Sequence, residues 1–245
     1  MQNDKPNFDL RLIEPSFDSE LTDLIIDLDH LRKKQLQGST HPLIFFQLKH
    51  IFHTLESVGS ARIEGNRTTI AEFIETKITS AKDLSQDIIE IQNMERTLEF
   101  IDETIKDIKI DRLFISELHK KVVNNLWIPP DGEGDTTPGI YRNTNVNITK
   151  SLHVPPDYLL VNDYMEELFQ FINSETSSKY DLLKVALAHH RFVWIHPFRN
   201  GNGRVVRLFT YALLVKYGFN IGLGGRFINP TAIFCSNRDK YYNYL

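Results

Sequence analysis

An all-α fold is predicted for this chain, because apolar residues recur at helical spacing along most of its 245 residues. Only one stretch, 138–156, alternates in the manner of β-strands. Between these segments, glycine and proline residues interrupt the periodic pattern, as they do in turns and loops. The sequence therefore predicts a set of helices and a single β-hairpin.

Five helices are predicted before the hairpin, after an irregular lead over residues 1–19. They cover approximately residues 21–31, 43–57, 69–78, 83–105 and 111–126. The third is predicted to begin with a cap that involves Thr68, Thr69 and Glu72, and the fifth begins at Asp111, because these side chains can accept backbone N–H groups of a first helical turn. The fourth has near-heptad spacing of apolar residues, which predicts one buried face.

The hairpin is predicted where Pro129, Pro130 and several glycines end the helical pattern. Residues 140–141 and 146–149 alternate as strands do, and Val154 precedes a further proline pair. The pattern alone is also typical of a surface hairpin that has no function.

Four more helices are predicted after the hairpin. They cover approximately residues 157–172, 181–192, 205–217 and 231–245. Asp157 and Asp181 begin the first two, and Gly218 is a natural stop for the third, since glycine readily adopts the left-handed conformation that ends helices.

Composition excludes several classes of function. The 41% hydrophobic and 24% charged fractions are ordinary for a soluble globular protein, and a net charge of −4 provides no global positive field for nucleic acid. Residues 1–15 do not resemble a signal peptide, and no apolar run reaches the roughly 18 residues that a membrane span needs. The single cysteine, Cys235, cannot form an internal disulfide, so a cytoplasmic location is expected.

A candidate phosphate site lies at the start of the helix predicted over 205–217. Gly201 and Gly203 allow successive backbone N–H groups to point at one anion, which the helix dipole also favours. Arg204 and Arg207 are three residues apart and share one helical face, where both can bind phosphates. His196, just upstream, is a candidate general base. Each feature alone is more often a turn, a solvated face or a core histidine, but all of them occur in one short stretch.

The stretch from His196 to Arg207 closely resembles the Fic family motif, His-x-Phe-x-[Asp/Glu]-Gly-Asn-Gly-Arg-x-x-Arg. Every fixed position matches except Asn200, which stands where the family has an acidic residue. The resemblance covers roughly residues 55–245 and implies a compact Fic-type helical bundle with one protruding β-hairpin flap. The implied parts are an N-terminal helical region over 1–110, a Fic core over 111–245, a flap over about 138–156 and an active-site loop over 196–207.

A second motif lies upstream, where Glu64 precedes Gly65 at a predicted helix end. Gly65 is an ordinary helix stop, but a carboxylate is unfavourable near a helix C-terminus unless a cation lies opposite. Ser60, Glu64 and Gly65 resemble the Fic inhibitory motif, [Ser/Thr]-x-x-x-Glu-[Gly/Asn]. On that resemblance Glu64 binds Arg207, and the inhibitory helix covers about residues 43–65.

The resemblance implies an activity, since most Fic enzymes transfer AMP from ATP to a hydroxyl group of a protein. It assigns His196 as the general base and Phe198 as a core residue that fixes the loop. The implied nucleotide-binding residues are Gly201, Asn202 and Gly203 for the α-phosphate, Arg204 for the β-phosphate and Arg207 for the γ-phosphate. An Mg²⁺ ion is also implied, for which Asn200 is a weak, non-acidic ligand.

The resemblance implies partners as well. Flap residues Val146, Asn147, Ile148 and Thr149 are expected to dock a protein target by strand addition. Self-modification and a homo-oligomer are expected, a membrane is not, and nucleic acid is expected only if a further C-terminal module exists. In some relatives the inhibitory glutamate also orients water that removes AMP.

Two alternatives stay open. The first alternative is a Fic-fold pseudoenzyme that binds nucleotide and acts as a sensor or partner module, because Asn200 weakens the metal site. A transferase of another phosphate-containing group, as in the Doc toxins, is the other alternative, although Doc-type motifs replace the second glycine with a bulkier residue and this chain has Gly203.

Overall fold

The computed structural model describes residues 10–33, 41–80, 83–148, 151–219 and 229–245. Within these ranges the chain is predominantly helical and contains no β-strand. The α-helices are α1 (Glu20–Lys33), α2 (Pro42–Glu64), α3 (Ile70–Thr79), α4 (Gln86–Thr104), α5 (Arg112–Val122), α6 (Val161–Asn173), α7 (Asp181–Ile195), α8 (Asn202–Leu214), α9 (Pro230–Ser236) and α10 (Arg238–Asn243). No described helix is both long enough and apolar enough to cross a bilayer.

The predicted caps at the starts of α3 and α5 are confirmed. Thr69 accepts the Glu72 N–H at 3.2 Å, and the Glu72 carboxylate accepts the Thr69 N–H at 2.7 Å, so the two form a capping box. Asp111 Oδ1 accepts the Phe114 N–H at 3.1 Å. These short-range hydrogen bonds explain why both helices begin where the sequence predicts.

Helix α2 is longer than its apolar pattern indicates, and the last predicted helix is divided. Helix α2 ends at Glu64, beyond the apolar pattern over 43–57 and close to the bounds of about 43–65 that the family resemblance implies. Within it, Gly59 packs against α9, where an added Cβ would lie 3.4 Å from the side chain of Thr231. The single helix predicted over 231–245 is divided at Asn237, whose side chain accepts the Lys240 N–H at 2.9 Å and thereby starts α10.

The hairpin expected over 138–156 is not found in the described part of that segment, which excludes 149–150. Its backbone is bound to the active-site loop instead of to a second strand. The Arg142 N–H donates to the Pro197 carbonyl at 2.8 Å, and the Arg142 Nε donates to the His196 carbonyl at 2.8 Å. Contacts across the fold have therefore replaced the local pairing that the alternating pattern predicts.

Helix α8 is the centre of the fold and is buried along almost its whole length. It packs between α7, α5 and α4 in one large apolar core. Helix α2 lies across α4 and α9, over a smaller apolar cluster that includes Ala61, Phe73 and Ile91. This packing brings the C-terminal end of α2 to the N-terminal half of α8.

Candidate active site

His196 directly follows α7 and has a left-handed backbone conformation (φ 52°, ψ 62°). Its N–H donates to the Phe192 carbonyl at 3.0 Å, which closes the helix. Its ring Nδ1 lies 3.3 Å from the Val193 carbonyl. Since a carbonyl can only accept, we assign the proton to Nδ1 and the lone pair to Nε2. Burial lowers the pKa of His196 to about 4, so the ring is neutral at pH 7 and Nε2 can accept a proton.

Arg142 holds the backbone around His196, a role that no sequence pattern indicated. Its Nε donates to the His196 carbonyl at 2.8 Å, and its Nη2 donates to the carbonyls of Ile195 at 3.3 Å and Pro156 at 2.6 Å. The side chain is buried, and its charge lies at the C-terminal end of α7, where a cation is favourable. Arg142 therefore connects the flap segment to the candidate base.

The loop between α7 and α8 is held by a reciprocal pair of hydrogen bonds. The Phe198 N–H donates to Asn202 Oδ1, and Asn202 Nδ2 donates to the Phe198 carbonyl, both at 2.9 Å. The Asn202 side chain is therefore occupied within the loop. The backbone N–H of Asn202 takes no part in this pair, and the role of Asn202 in nucleotide binding stays a prediction.

His119 on α5 packs against this loop and is hydrogen-bonded to it. Its ring stacks on Phe198 with centroids 3.8 Å apart. Its Nδ1 accepts the Gly139 N–H at 2.8 Å, so the ring proton lies on Nε2, which is 3.2 Å from the Asn200 carbonyl. Burial lowers the pKa of His119 to about 4. A neutral His119 thus joins the start of the flap to the active-site loop, although a lone histidine in a helix offers no such signal in the sequence.

The N-terminus of α8 forms an anion-binding geometry. Gly201 caps the helix with φ 73°, a conformation that favours glycine, and an added Cβ would lie 3.3 Å from the side chain of Val123. The backbone N–H groups of residues 202–204 have no acceptor within the helix. Such N–H groups at a helix start are suited to an anion, and phosphate binding by Gly203 and its neighbours stays a prediction.

Arg207 is bound by both residues of the upstream motif. Its Nε donates to Ser60 Oγ at 2.7 Å, and its Nη2 donates to the Ser60 carbonyl at 3.2 Å and to Glu64 Oε1 at 2.6 Å. Burial alone would raise the pKa of Glu64, but Arg207 holds that pKa below its usual range. The pKa of Arg207 is raised in turn, since Glu64 outweighs the effect of its burial. This is a charged contact between α2 and α8 in which Arg207 is buried and Glu64 is partly exposed.

The Glu64 carboxylate also lies against Gly203. A Cβ added to Gly203 would be 2.1 Å from Glu64 Oε1 and 3.2 Å from Arg207 Nη1. Only a residue without a side chain leaves room for this carboxylate. The three predicted residues Glu64, Gly203 and Arg207 are therefore brought together in one place.

Arg204 is buried between carboxylates that the sequence did not indicate. Its Nη1 lies 3.1 Å from Glu90 Oε1, while its Nη2 donates to the Glu133 carbonyl at 2.6 Å and lies 3.4 Å from Glu133 Oε2. Burial raises the pKa of Glu90 despite Arg204. A β-phosphate bound by Arg204 would have to share the guanidinium with these groups.

Asn200 binds the loop that contains Glu133. Its Nδ2 donates to the Gly134 carbonyl at 3.1 Å and lies 3.3 Å from Glu133 Oε2, and its N–H donates to Asp135 Oδ2 at 3.2 Å. Its Oδ1 accepts the Gly201 N–H at 2.7 Å. The amide is therefore used to hold two loops together, and it presents no charge to a metal.

The predicted docking residues of the flap, 146–148, are not among the residues that make the contacts described above. Asn147 is exposed, and Val146 and Ile148 are partly buried. The Ile148 carbonyl accepts the Ser151 N–H at 3.2 Å. Thr149 lies outside the described residues.

Comparison with known proteins shows which family the chain matches. The Fic/DOC family model matches residues 109–214. Two proteins named protein adenylyltransferase Fic, from Drosophila ananassae and Drosophila yakuba, are 32% and 33% identical to the chain over 209 residues. Each match covers 82% of the chain and 36% of the relative, so the chain spans little more than a third of the length of these curated relatives.

Solved structures show the same fold. A Fic family protein from Desulfovibrio desulfuricans G20 has a TM-score of 0.68 at 19% identity, covering 95% of the chain and 66% of that protein. Fic-1 from C. elegans has a TM-score of 0.62 at 23% identity, covering 80% of the chain and 56% of that structure.

Proposed function

Because this chain belongs to the Fic/DOC family, we propose that it is a protein adenylyltransferase that moves AMP from ATP to a hydroxyl side chain of a protein. The observation that carries the proposal is the neutral His196, whose Nε2 can accept a proton beside the anion-binding N-terminus of α8. A base next to a phosphate site is the pair of groups that this transfer needs.

The chemistry follows from these groups. His196 Nε2 takes the proton of the target hydroxyl, whose oxygen forms a bond to the α-phosphorus while the bond to pyrophosphate breaks. Charge grows on the α-phosphate oxygens during this step. The backbone N–H groups at the start of α8, including that of Gly203, are fixed in advance to stabilise that charge.

We infer that Ser60 and Glu64 inhibit the transfer by holding Arg207. The guanidinium donates three hydrogen bonds to these two residues, so it is not available to a γ-phosphate. The Glu64 carboxylate also covers Gly203, where it would repel the phosphates. Glu64 is a candidate for the second role implied by the family, in which it orients the water that removes AMP.

Mg²⁺ is proposed as the metal that accompanies ATP, with the phosphates as its main ligands. Within the described ranges, no three His, Cys, Asp or Glu side chains are grouped so as to hold a metal by themselves. Asn200 contributes no charge, whereas the nearby Glu133 carboxylate is an anionic oxygen of the kind Mg²⁺ prefers. When bound, the ion would neutralise phosphate charge.

The flap is proposed as the docking site for the protein target. It is linked through Arg142 to the backbone carbonyl of His196, which ties the segment that carries the docking residues to the base. Asn147 is exposed, and an extended peptide can pair with the backbone of an exposed segment. The chain itself is a proposed target.

Incubation with ATP labelled at the α- or the γ-phosphate tests the function. We expect the α label, and not the γ label, to become attached to protein in the Glu64→Gly variant. Retention of only the γ label would indicate phosphate transfer, and ATP binding without either label would indicate a sensor. Either outcome contradicts AMP transfer. His196→Ala in the same background controls for labelling that does not depend on the site.

A further inference from the structure

The loop over residues 133–135 is fixed tightly against the active-site loop. Three hydrogen bonds do this: from Arg204 Nη2 to the Glu133 carbonyl at 2.6 Å, from Asn200 Nδ2 to the Gly134 carbonyl at 3.1 Å, and from the Asn200 N–H to Asp135 Oδ2 at 3.2 Å. Gly134 itself is buried, and an added Cβ would lie 2.4 Å from the Leu126 carbonyl. The position of Glu133 next to the phosphate loop is therefore determined by the fold.

The orientation of the Asn200 amide follows from its neighbours. Its Nδ2 faces two acceptors, the Gly134 carbonyl and Glu133 Oε2, while its Oδ1 faces a donor, the Gly201 N–H at 2.7 Å. A flipped amide would place oxygen against oxygen and N–H against N–H. The residue that stands at the acidic position of the motif thus points its donor group at a carboxylate.

One carboxylate oxygen of Glu133 contacts neighbouring donors, and the other is open to solvent. Oε2 lies 3.3 Å from Asn200 Nδ2 and 3.4 Å from Arg204 Nη2. Oε1 makes no hydrogen bond within the described part of the chain, and the side chain is 50% exposed. A fixed carboxylate with an open oxygen is suited to a ligand that carries positive charge.

The charges around Arg204 indicate that Glu133 binds a cation and does not serve only as a counter-ion to Arg204. Arg204 already has Glu90 Oε1 at 3.1 Å, so Glu133 is a second carboxylate on one guanidinium. A triphosphate bound at the start of α8 would be repelled by this extra negative charge. A divalent cation between Glu133 and the phosphates would convert that repulsion into attraction.

We propose that Glu133 is the metal-ligating carboxylate of this site and provides the anionic oxygen that Asn200 does not. The inference rests on the proposed function, because it requires that ATP binds at the start of α8. Mg²⁺ commonly uses one or two carboxylates together with substrate phosphates, so a single carboxylate from a neighbouring loop meets this need.

The test measures binding rather than turnover. The affinity of an ATP analogue with a methylene bridge between the α- and β-phosphates is measured by calorimetry, in excess Mg²⁺ and in EDTA. Every protein has the Glu64→Gly background, so that Arg207 is free. The variants are Glu133→Gln, Glu133→Gln with Asn200→Asp, and Asp131→Asn. The last is the matched control, since Asp131 is an exposed acidic residue of the same loop and makes no side-chain hydrogen bond in the described part of the chain.

We expect Mg²⁺ to strengthen analogue binding in the parent protein and Glu133→Gln to reduce this gain by roughly tenfold or more. Binding in EDTA should be unchanged or tighter, because a repulsive charge has been removed. Adding Asn200→Asp should restore the gain, since it returns a carboxylate to the site from the adjacent loop, and Asp131→Asn should leave the gain unchanged.

Two results would overturn the inference in distinguishable ways. An equal gain from Mg²⁺ in the parent and in Glu133→Gln would reject Glu133 as a ligand and leave the proposed function intact. No binding of the analogue to any variant, with or without Mg²⁺, would reject the nucleotide site, and the role of Glu133 with it.

Discussion

Glu64 Oε1 occupies the space directly beside the α-carbon of Gly203, at 2.1 Å from where a Cβ would be. The same oxygen accepts a hydrogen bond from Arg207 at 2.6 Å. One carboxylate therefore fills the position next to the phosphate-binding backbone and neutralises the nearest arginine. This relationship is the physical basis of the proposed inhibition.

Removal of that carboxylate should activate the protein. Glu64→Gly is expected to raise AMP self-modification by more than roughly tenfold, because a bound nucleotide no longer has to displace a partly buried ion pair. Arg62→Gly is the control, since Arg62 is an exposed residue in the same last turn of α2. Equal rates of labelling in wild type and Glu64→Gly would reject the inhibitory role.

The candidate base should affect chemistry and not nucleotide binding. In the Glu64→Gly background, His196→Ala is expected to reduce transfer by roughly 10²–10⁴-fold with little change in ATP affinity. Because burial lowers the pKa of His196 to about 4, the active neutral form persists as pH falls through 6.5, and the rate should decline only at roughly pH 4–5. His190→Ala, an exposed histidine of α7, should leave transfer unchanged. A rate that falls by half near pH 6.5 would contradict the assignment.

Arg142 should act as a positioning residue for His196. Arg142→Ala is expected to reduce transfer by at least roughly tenfold without weakening ATP binding, because it leaves several carbonyls of the loop without their donor. Arg142→Lys should be intermediate, since an ammonium group cannot reach them all. Arg199→Ala is the control, because Arg199 also joins the flap to the loop, through Asn143, but is exposed. Loss of ATP affinity in parallel with rate would indicate collapse of the loop instead.

The flap can be tested by removing a backbone donor. Asn147→Pro and Ile148→Pro should each raise the KM for a protein target by roughly 2- to 10-fold, the effect of one lost hydrogen bond. Asn147→Ala keeps the backbone N–H and serves as the control, and ATP affinity should be equal in all three. If the proline variants modify the target as well as Asn147→Ala does, the flap does not dock targets by backbone pairing.

Glu56 on α2 should make stability depend on pH. It is buried, and burial raises its pKa to about 7, although it accepts the Thr231 N–H at 3.1 Å. The folded protein therefore keeps a proton that the unfolded chain loses at about pH 4.3, so stability falls as pH rises from about 4.3 to 7. Glu56→Gln should be more stable than wild type by on the order of 1–3 kcal/mol at pH 8, and the difference should shrink at pH 5. Denaturant unfolding at both pH values measures this, with exposed Glu75→Gln as the control, and a difference that is independent of pH would contradict it.

Much of the candidate site could be predicted from the sequence because its parts are close together along the chain. The glycines, arginines and base of the loop between His196 and Arg207 occur within one turn and one helix start, where local geometry decides which groups face the same way. The caps Thr69 and Asp111 were predictable for the same reason, since each binds an N–H three residues away. The pairing of Glu64 with Arg207 was implied by family resemblance and not by periodicity.

The tertiary structure alone decided which distant residues complete the site. Arg142 reaches His196 across 54 positions, His119 reaches Asn200 across 81, and Arg204 reaches Glu133 across 71. Nothing in a local pattern encodes such contacts, because they depend on how helices pack. The same cause explains the flap, whose alternating residues indicated strands but whose backbone is bound through Arg142 to the loop. The sequence determined the helices and the chemical groups of the phosphate loop, whereas packing around the buried α8 decided which of those groups are free and which are already bound.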